Sequence, residues 1–248
     1  MRCELLYIQI HNLVCLKSTC AGHIYIPYLS SGNPHDKWTV NCCFNSFCGD
    51  FLALAINSKP VMKLIVAADA CVLVLNKPWP LYRNVKEILL YPSAYYAPQS
   101  TRDSAGLVSY HNTVRLGESW PGGTLVLSWH DVLEGNRLPS DGHNLVFHEF
   151  AHQLDQETGK TTGTPILKSS ADYKEWGRVF SRAFTQLKSH VAYSMPHVIH
   201  SYGATNEAEF FAVLTETFLE KPAELRRYDP EIYSMLVNYY QFDPIVWH

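Results

Sequence analysis

Asn144-Leu145-Val146-Phe147-His148-Glu149-Phe150-Ala151-His152-Gln153-Leu154-Asp155 is the stretch whose reading decides the fold. It holds the pattern H-E-x-x-H from His148 to His152, led in by an apolar run. On an α-helix, positions i and i+4 lie one above the other on the same face. His148 and His152 can therefore offer two imidazoles to one metal ion, at roughly 2.0–2.1 Å each if it is zinc. Glu149 follows the first ligand directly, which suits a general base acting on water at a metal site. Phe147, Phe150, Ala151 and Leu154 make the helix largely apolar, so it should be buried. Two histidines and two acids, Glu149 and Asp155, are costly on a buried helix unless they coordinate or pair. The stretch predicts a helix over about 141–156 that carries the site of a zinc peptidase.

A catalytic zinc takes three protein ligands and leaves one position for water. The third ligand should come from another helix, and residues 206–216 (NEAEFFAVLTE) fit. Asn206 is a good N-cap residue, with Glu209 three residues on as in a capping box. Glu209 and Glu216 are seven apart and share a face, whereas Glu207 lies off it and should be solvated. From the residues alone, Glu209 is either a metal ligand or the cap of its own helix. Asp155 lies on the ligand face. It holds a ligand imidazole by its free nitrogen, caps a backbone group, or is a solvated acid at the helix end. Glu216 is a similar supporting candidate. His143 reads as structural, and His111, His130, His190, His197, His200 and His248 have no spacing that argues for metal.

Working outward, residues 62–75 (MKLIVAADACVLVL) read as a buried helix, because Ala67, Ala68 and Ala70 favour helix over strand. Val85 to Tyr91 reads as a strand, and Thr124 to Trp129 as another. Leu107–Tyr110 and Thr113–Leu116 flank His111-Asn112 and suggest a hairpin. Helices are expected at about 170–190, 206–220 and 229–241, with Pro222 and Pro230 as punctuation. Strands first and helices after predict an α+β fold. Residues 1–60 mix Cys, Asn, Ser and aromatics without clear period, so they are expected to form an irregular N-terminal region of unknown role, with 61–248 as a metallopeptidase domain.

Composition narrows the function. With 248 residues, 47% hydrophobic and 17% charged, the chain can bury a sizeable core. A net charge of −3 argues against direct nucleic-acid or membrane-surface binding by bulk charge. No apolar run approaches the ~18 residues needed to span a bilayer. Polar Gln9, His11 and Asn12 interrupt the first apolar stretch, which makes it a poor secretion signal. Cys3, Cys15, Cys20, Cys42, Cys43 and Cys48 crowd the first fifth of the chain, with only Cys71 beyond. That odd, uneven set does not look like a secreted disulfide framework, so reduced thiols in a cytoplasmic protein are expected.

Beyond these readings, HEFAHQLD at 148–155 followed by SYGATNEAEFFAVLTETF at 201–218 resembles the Mlc titration factor A family of zinc peptidases. Members of that family are in turn similar to the catalytic domain of anthrax lethal factor. The likeness covers roughly residues 62–247, and it includes IVAADACVLVL, a strand ending in YP, GHNLVFHEFAHQLD, the GTP at 163–165 and YYQFDP near the end. It implies a zincin-type (gluzincin) fold with a small sheet and ligand-bearing helices. It also implies one catalytic zinc held by His148, His152 and Glu209, with Glu149 as base. Tyr202 matches a tyrosine that in this superfamily donates to the tetrahedral intermediate. The activity implied is aminopeptidase-type cleavage of peptides. The alternative implied is a non-catalytic anti-repressor that binds a glucose-responsive transcriptional repressor and so regulates a sugar phosphotransferase system.

Overall fold

A computed structural model describes the backbone of residues 6–10, 13–17, 24–25, 60–77, 82–102, 108–120 and 122–247. The architecture is α+β. Three short strands, β1 (Leu6–Ile10), β2 (Leu13–Lys17) and β3 (Ile24–Tyr25), pair antiparallel in the order β1-β2-β3, inside the region where the sequence has no clear period. The side chains of the six N-terminal cysteines lie outside the described residues.

Helix α1 (Pro60–Val72) starts on a proline, which suits the first helical position because its missing N–H has no partner there anyway. Its length from Leu64 to Val72 is mostly buried, as the alanine-rich apolar run predicts. The second sheet has the order β4-β8-β7, with β4 (Glu87–Tyr91), β7 (Gly117–Trp120) and β8 (Thr124–Ser128). β8 is central: Leu125, Val126 and Leu127 are all buried, the mark of a strand covered on both faces. β8 runs parallel to β4 and antiparallel to β7.

Two sequence expectations fail in this region. His111-Asn112 is not a turn: β6 runs unbroken through Val108–Arg115 and pairs antiparallel with β5 (Tyr95–Arg102), which places Asn112 opposite Pro98. Asn and His read as turn residues only by propensity, and the cross-strand ladder overrides it. The other strand ends at Ser128, not Trp129, because Ser128 accepts a hydrogen bond from the Asp131 amide and caps α2 (Trp129–Arg137). That helix is mostly polar and buries only Val132 and Gly135, so it has no apolar stripe to betray it.

The remaining helices are α3 (Leu145–Gln156), α4 (Ser170–Ala192), α5 (Glu207–Glu220), α6 (Pro222–Tyr228) and α7 (Pro230–Tyr240). α3 starts at Leu145 rather than 141, since the Asn144 side chain accepts from the Phe147 amide as N-cap. α6 is an unexpected helix of two turns between the two prolines, each standing at the start of a helix. α5 is buried along nearly all its length, and α3 packs against it. Around these two helices an aromatic layer closes the core: Trp176 meets Phe211 and Tyr239, and Phe218 stacks on Tyr240. Among the described residues no helix is long and apolar enough to cross a membrane.

Candidate metal centre

The centre is built where α3 crosses α5. His148 and His152 stand on one face of α3, their rings edge to face with centroids 4.9 Å apart. Glu209, in the first turn of α5, turns its carboxylate toward them: Oε2 lies 3.0 Å from His148 Nε2 and 3.4 Å from His152 Nε2. The Asn206 side chain caps α5 by accepting from the Glu209 amide, so the Glu209 carboxylate is left to face the histidines. The Glu209 carboxylate faces the two histidines, while the cap of α5 is made by Asn206.

Ligand atoms of His148, His152 and Glu209 all lie within 4.8 Å of one another. A tetrahedral ion with ligands at ~2.0–2.1 Å separates its ligand atoms by about 3.3 Å, a distance the two measured separations bracket. His148 Nδ1 donates to Glu216 Oε1 at 2.7 Å, which in the neutral imidazole would leave Nε2 as the nitrogen offered to a metal. Glu216 sits two turns after Glu209, and its other oxygen accepts the Asn144 amide at 2.7 Å. One buried carboxylate thus holds both the back of a ligand and the start of the helix that carries it.

Asp155 does not hold an imidazole. Its two oxygens accept the Gly163 and Thr164 amides, each at 2.8 Å, and so pin the loop after α3. Gly163 has φ +69, and a Cβ there would lie 2.3 Å from the Glu207 carbonyl oxygen, so glycine lets this loop pass the start of α5. His152 Nδ1 is buried with no partner among the described residues.

Charge is concentrated here. Burial opposes protonation of His148, but Glu216, Glu209 and Glu149 outweigh it and push that imidazole well above its ordinary range. Burial likewise favours a neutral Glu209, yet the hydrogen bonds of His148 and His152 hold it well below the usual carboxylate range. Glu149 is buried and raised, mainly by desolvation and further by Glu209 and Glu216, against the pull of the two histidines. A cation set among His148, His152 and Glu209 would relieve this crowding of acids.

The centre opens to two hollows. One, of about 400 Å³, runs past His152, Asn206 and Glu209; the other, of about 720 Å³, runs past Leu116, Leu145, His200 and Val213. Gly117, His148, Glu149 and Tyr202 line both. Tyr202 lies in a single turn, Ser201–Ala204, half exposed, with its ring centroid 6.0 Å from that of His148. Gly117 carries no motif and the sequence offers no signal for it. A Cβ at this position would lie 2.3 Å from Glu149 Oε1, so its missing side chain is the space that Glu149 occupies. His143 and His200, read from sequence as structural or uninformative, pack ring to ring at 4.6 Å and line the larger hollow.

A family model described as glucose-regulated metallo-peptidase M90 matches residues 50–241. An uncharacterised protein of Synechocystis sp. is 40% identical over 200 residues, covering 80% of this chain and 71% of that protein. Mlc titration factor A of Yersinia enterocolitica is 34% identical over 166 residues, covering 64% of this chain and 60% of its own length. The Yersinia pestis protein of the same name is 34% identical over 164 residues, covering 64% and 59%. The matched part of the chain thus spans about three fifths of the length of these Yersinia relatives.

Proposed function

The chain belongs to the glucose-regulated metallo-peptidase M90 family, and from that premise we propose that it hydrolyses peptide bonds as a zinc-dependent, aminopeptidase-type enzyme. The proposed catalytic unit is residues 61–248, with a zincin-type (gluzincin) fold akin to the catalytic domain of anthrax lethal factor. The observation that carries the reading is the convergence of His148, His152 and Glu209 from two helices beside the buried Glu149. Those three residues would hold the ion, and no other His/Cys/Asp/Glu group among the described residues is grouped closely enough to hold one.

Zinc, when bound, polarises the scissile carbonyl and makes water a nucleophile near neutral pH. Glu149 takes a proton from the attacking water and passes it to the leaving amine. The Tyr202 phenol donates to the oxyanion as charge develops there, which stabilises the transition state more than the ground state. β7 is an outer strand of its sheet among the described residues, and it borders the smaller hollow through Gly117, Glu118 and Ser119. An extended peptide laid along that edge would gain main-chain hydrogen bonds, a mode that suits a peptide substrate.

The test is Glu149→Gln. Glutamine nearly matches glutamate in shape but cannot accept the proton. The variant should keep about one zinc per chain and lose at least ~10²-fold in kcat on a peptide anilide. Unchanged kcat would remove Glu149 as base, and wild-type protein without stoichiometric zinc would remove the metal reading.

A second reading is favoured by the name of the Yersinia relatives, which refers to titration of Mlc. Carried to this chain, it is a protein-binding role toward a transcriptional repressor. Glu149→Gln separates the two readings, since a binding role has no chemical need of a base and should survive the substitution.

A further inference from the structure

A separate hollow of about 530 Å³ shares no lining residue with the metal-centre cleft. It lies between the first half of α4, the face of α7 and the segment 166–168. Its lining is mixed: Trp176, Tyr239, Val179, Leu167 and Met235 form an apolar part, and Ser234, Asn238 and Gln241 are among the polar residues beside them. Two lysines reach it. Lys77 Nζ donates to the Tyr239 carbonyl at 2.8 Å and lies 3.2 Å from the centroid of the Tyr239 ring. Lys168 Nζ donates to Gln241 Oε1 at 3.0 Å. Among the described residues neither lysine has a carboxylate within 4.0 Å.

The acids that line the same hollow are already engaged. Asp172 accepts from the Ser169 hydroxyl, and Arg178 pairs with both Glu175 and Glu231. Arg182 adds a second bond to Glu231. Neither lysine takes part in these pairs. A largely buried ammonium without a counter-ion is costly, and a second cation nearby adds to the cost. Burial first, and then Lys168, lower the Lys77 pKa to about 7. The volume is that of a small-molecule site, and the mix of aromatic walls with a few convergent polar groups is what such sites present.

We propose that this hollow binds a small organic carboxylate, with its apolar body against Trp176 and Tyr239 and its anion between Lys77 and Lys168. The missing counter-ion is then supplied by the ligand. A compact inorganic anion would satisfy the lysines but leave the aromatic walls empty, and an uncharged aromatic would do the reverse. The carboxylate with an apolar body satisfies both. Nothing in this site depends on the peptidase reading.

Titration calorimetry on the full-length, zinc-loaded chain tests the proposal, with phenylacetate, uncharged phenylacetamide and inorganic phosphate as probes. Phenylacetate should saturate near one per chain with Kd below about 1 mM, and the other two should bind at least about tenfold more weakly. Lys77→Met and Lys168→Gln should each weaken phenylacetate about tenfold or more and leave phenylacetamide unchanged. Lys168 is exposed, so its variant reads the site even if Lys77→Met fails to fold. Because a carboxylate can also bind a metal, His152→Ala serves as control and should bind phenylacetate as the wild type does. The proposal is overturned if no saturable binding appears up to about 10 mM, if phenylacetamide or phosphate matches phenylacetate, if Lys168→Gln binds normally, or if His152→Ala abolishes binding.

Discussion

Glu216 shows how much one side chain does at the residue scale. It is 5% exposed, and its two oxygens hold His148 Nδ1 and the Asn144 amide. Groups behind a metal ligand fix its tautomer and orientation, and their loss typically costs 10–100-fold in metal affinity. Glu216→Ala should lower zinc affinity by roughly that factor in chelator competition. It should also cost about 1–3 kcal/mol in stability, because the Asn144 amide is left buried without an acceptor. Normal zinc affinity in a folded Glu216→Ala variant would show that His148 needs no support from behind. Gly117 acts by what it lacks. A Cβ there meets Glu149 Oε1 at 2.3 Å, so Gly117→Ala must shift the carboxylate of a buried residue. Zinc content should hold while kcat falls by about tenfold or more, since small misplacements of a catalytic group are expensive. Parallel losses of zinc and activity would contradict this.

At the scale of elements, α5 sets the design. It is buried nearly throughout, so its acids are tolerated only where something meets them. Glu209 and Glu216 meet the histidines, and Glu220, one turn further, meets the backbone instead. Glu220 Oε2 accepts the Gly142 and His143 amides, each at 2.9 Å, and so ties the segment before α3 to the end of α5. Its Oε1 is buried without a partner among the described residues. Burial, then Asp141 and Glu216, push the Glu220 carboxyl up to about 9, against the pull of the two amides. An acid whose folded pKa lies above its unfolded value of ~4.3 binds more protons in the folded state between those limits. Its contribution to stability is therefore full at low pH and is lost as pH rises from about 4 through 9. Glu220→Gln keeps an oxygen for both amides and removes the titration. The Tm of the variant relative to wild type should rise steadily from pH 5 to pH 8.5 in thermal melts. A pH-independent difference would mean that Glu220 is charged in the folded protein at neutral pH.

For the whole molecule, the residues of the candidate metal centre all lie between Gly117 and Glu216. Removing residues 1–60 should accordingly leave zinc binding at about one per chain, with some loss of stability. A truncated chain that folds but holds no zinc would show that the N-terminal part completes the centre. The amino-acid sequence by itself determined the two features that depend on local spacing. An i, i+4 histidine pair on an apolar helix is a short-range pattern, and so is an N-cap asparagine three residues before an acid. From these, α3 and α5 were legible, with the His148, His152 and Glu209 group that they bring together, as were α4 and α7, whose apolar stripes repeat at helical period. Polar α2 and the two-turn α6 have no such stripe, and the β5–β6 pairing rests on partners far apart in sequence. Only the tertiary structure decided which acid does what. Asp155 and Glu216 each stand on the face of their helix that carries the candidate ligands, yet Asp155 turns to a loop and Glu216 to His148. The packing of α3 on α5 brings Glu216 to His148, and the packing of α3 on β7 sets Gly117 against Glu149; such contacts are made between elements and leave no trace in the spacing of either one.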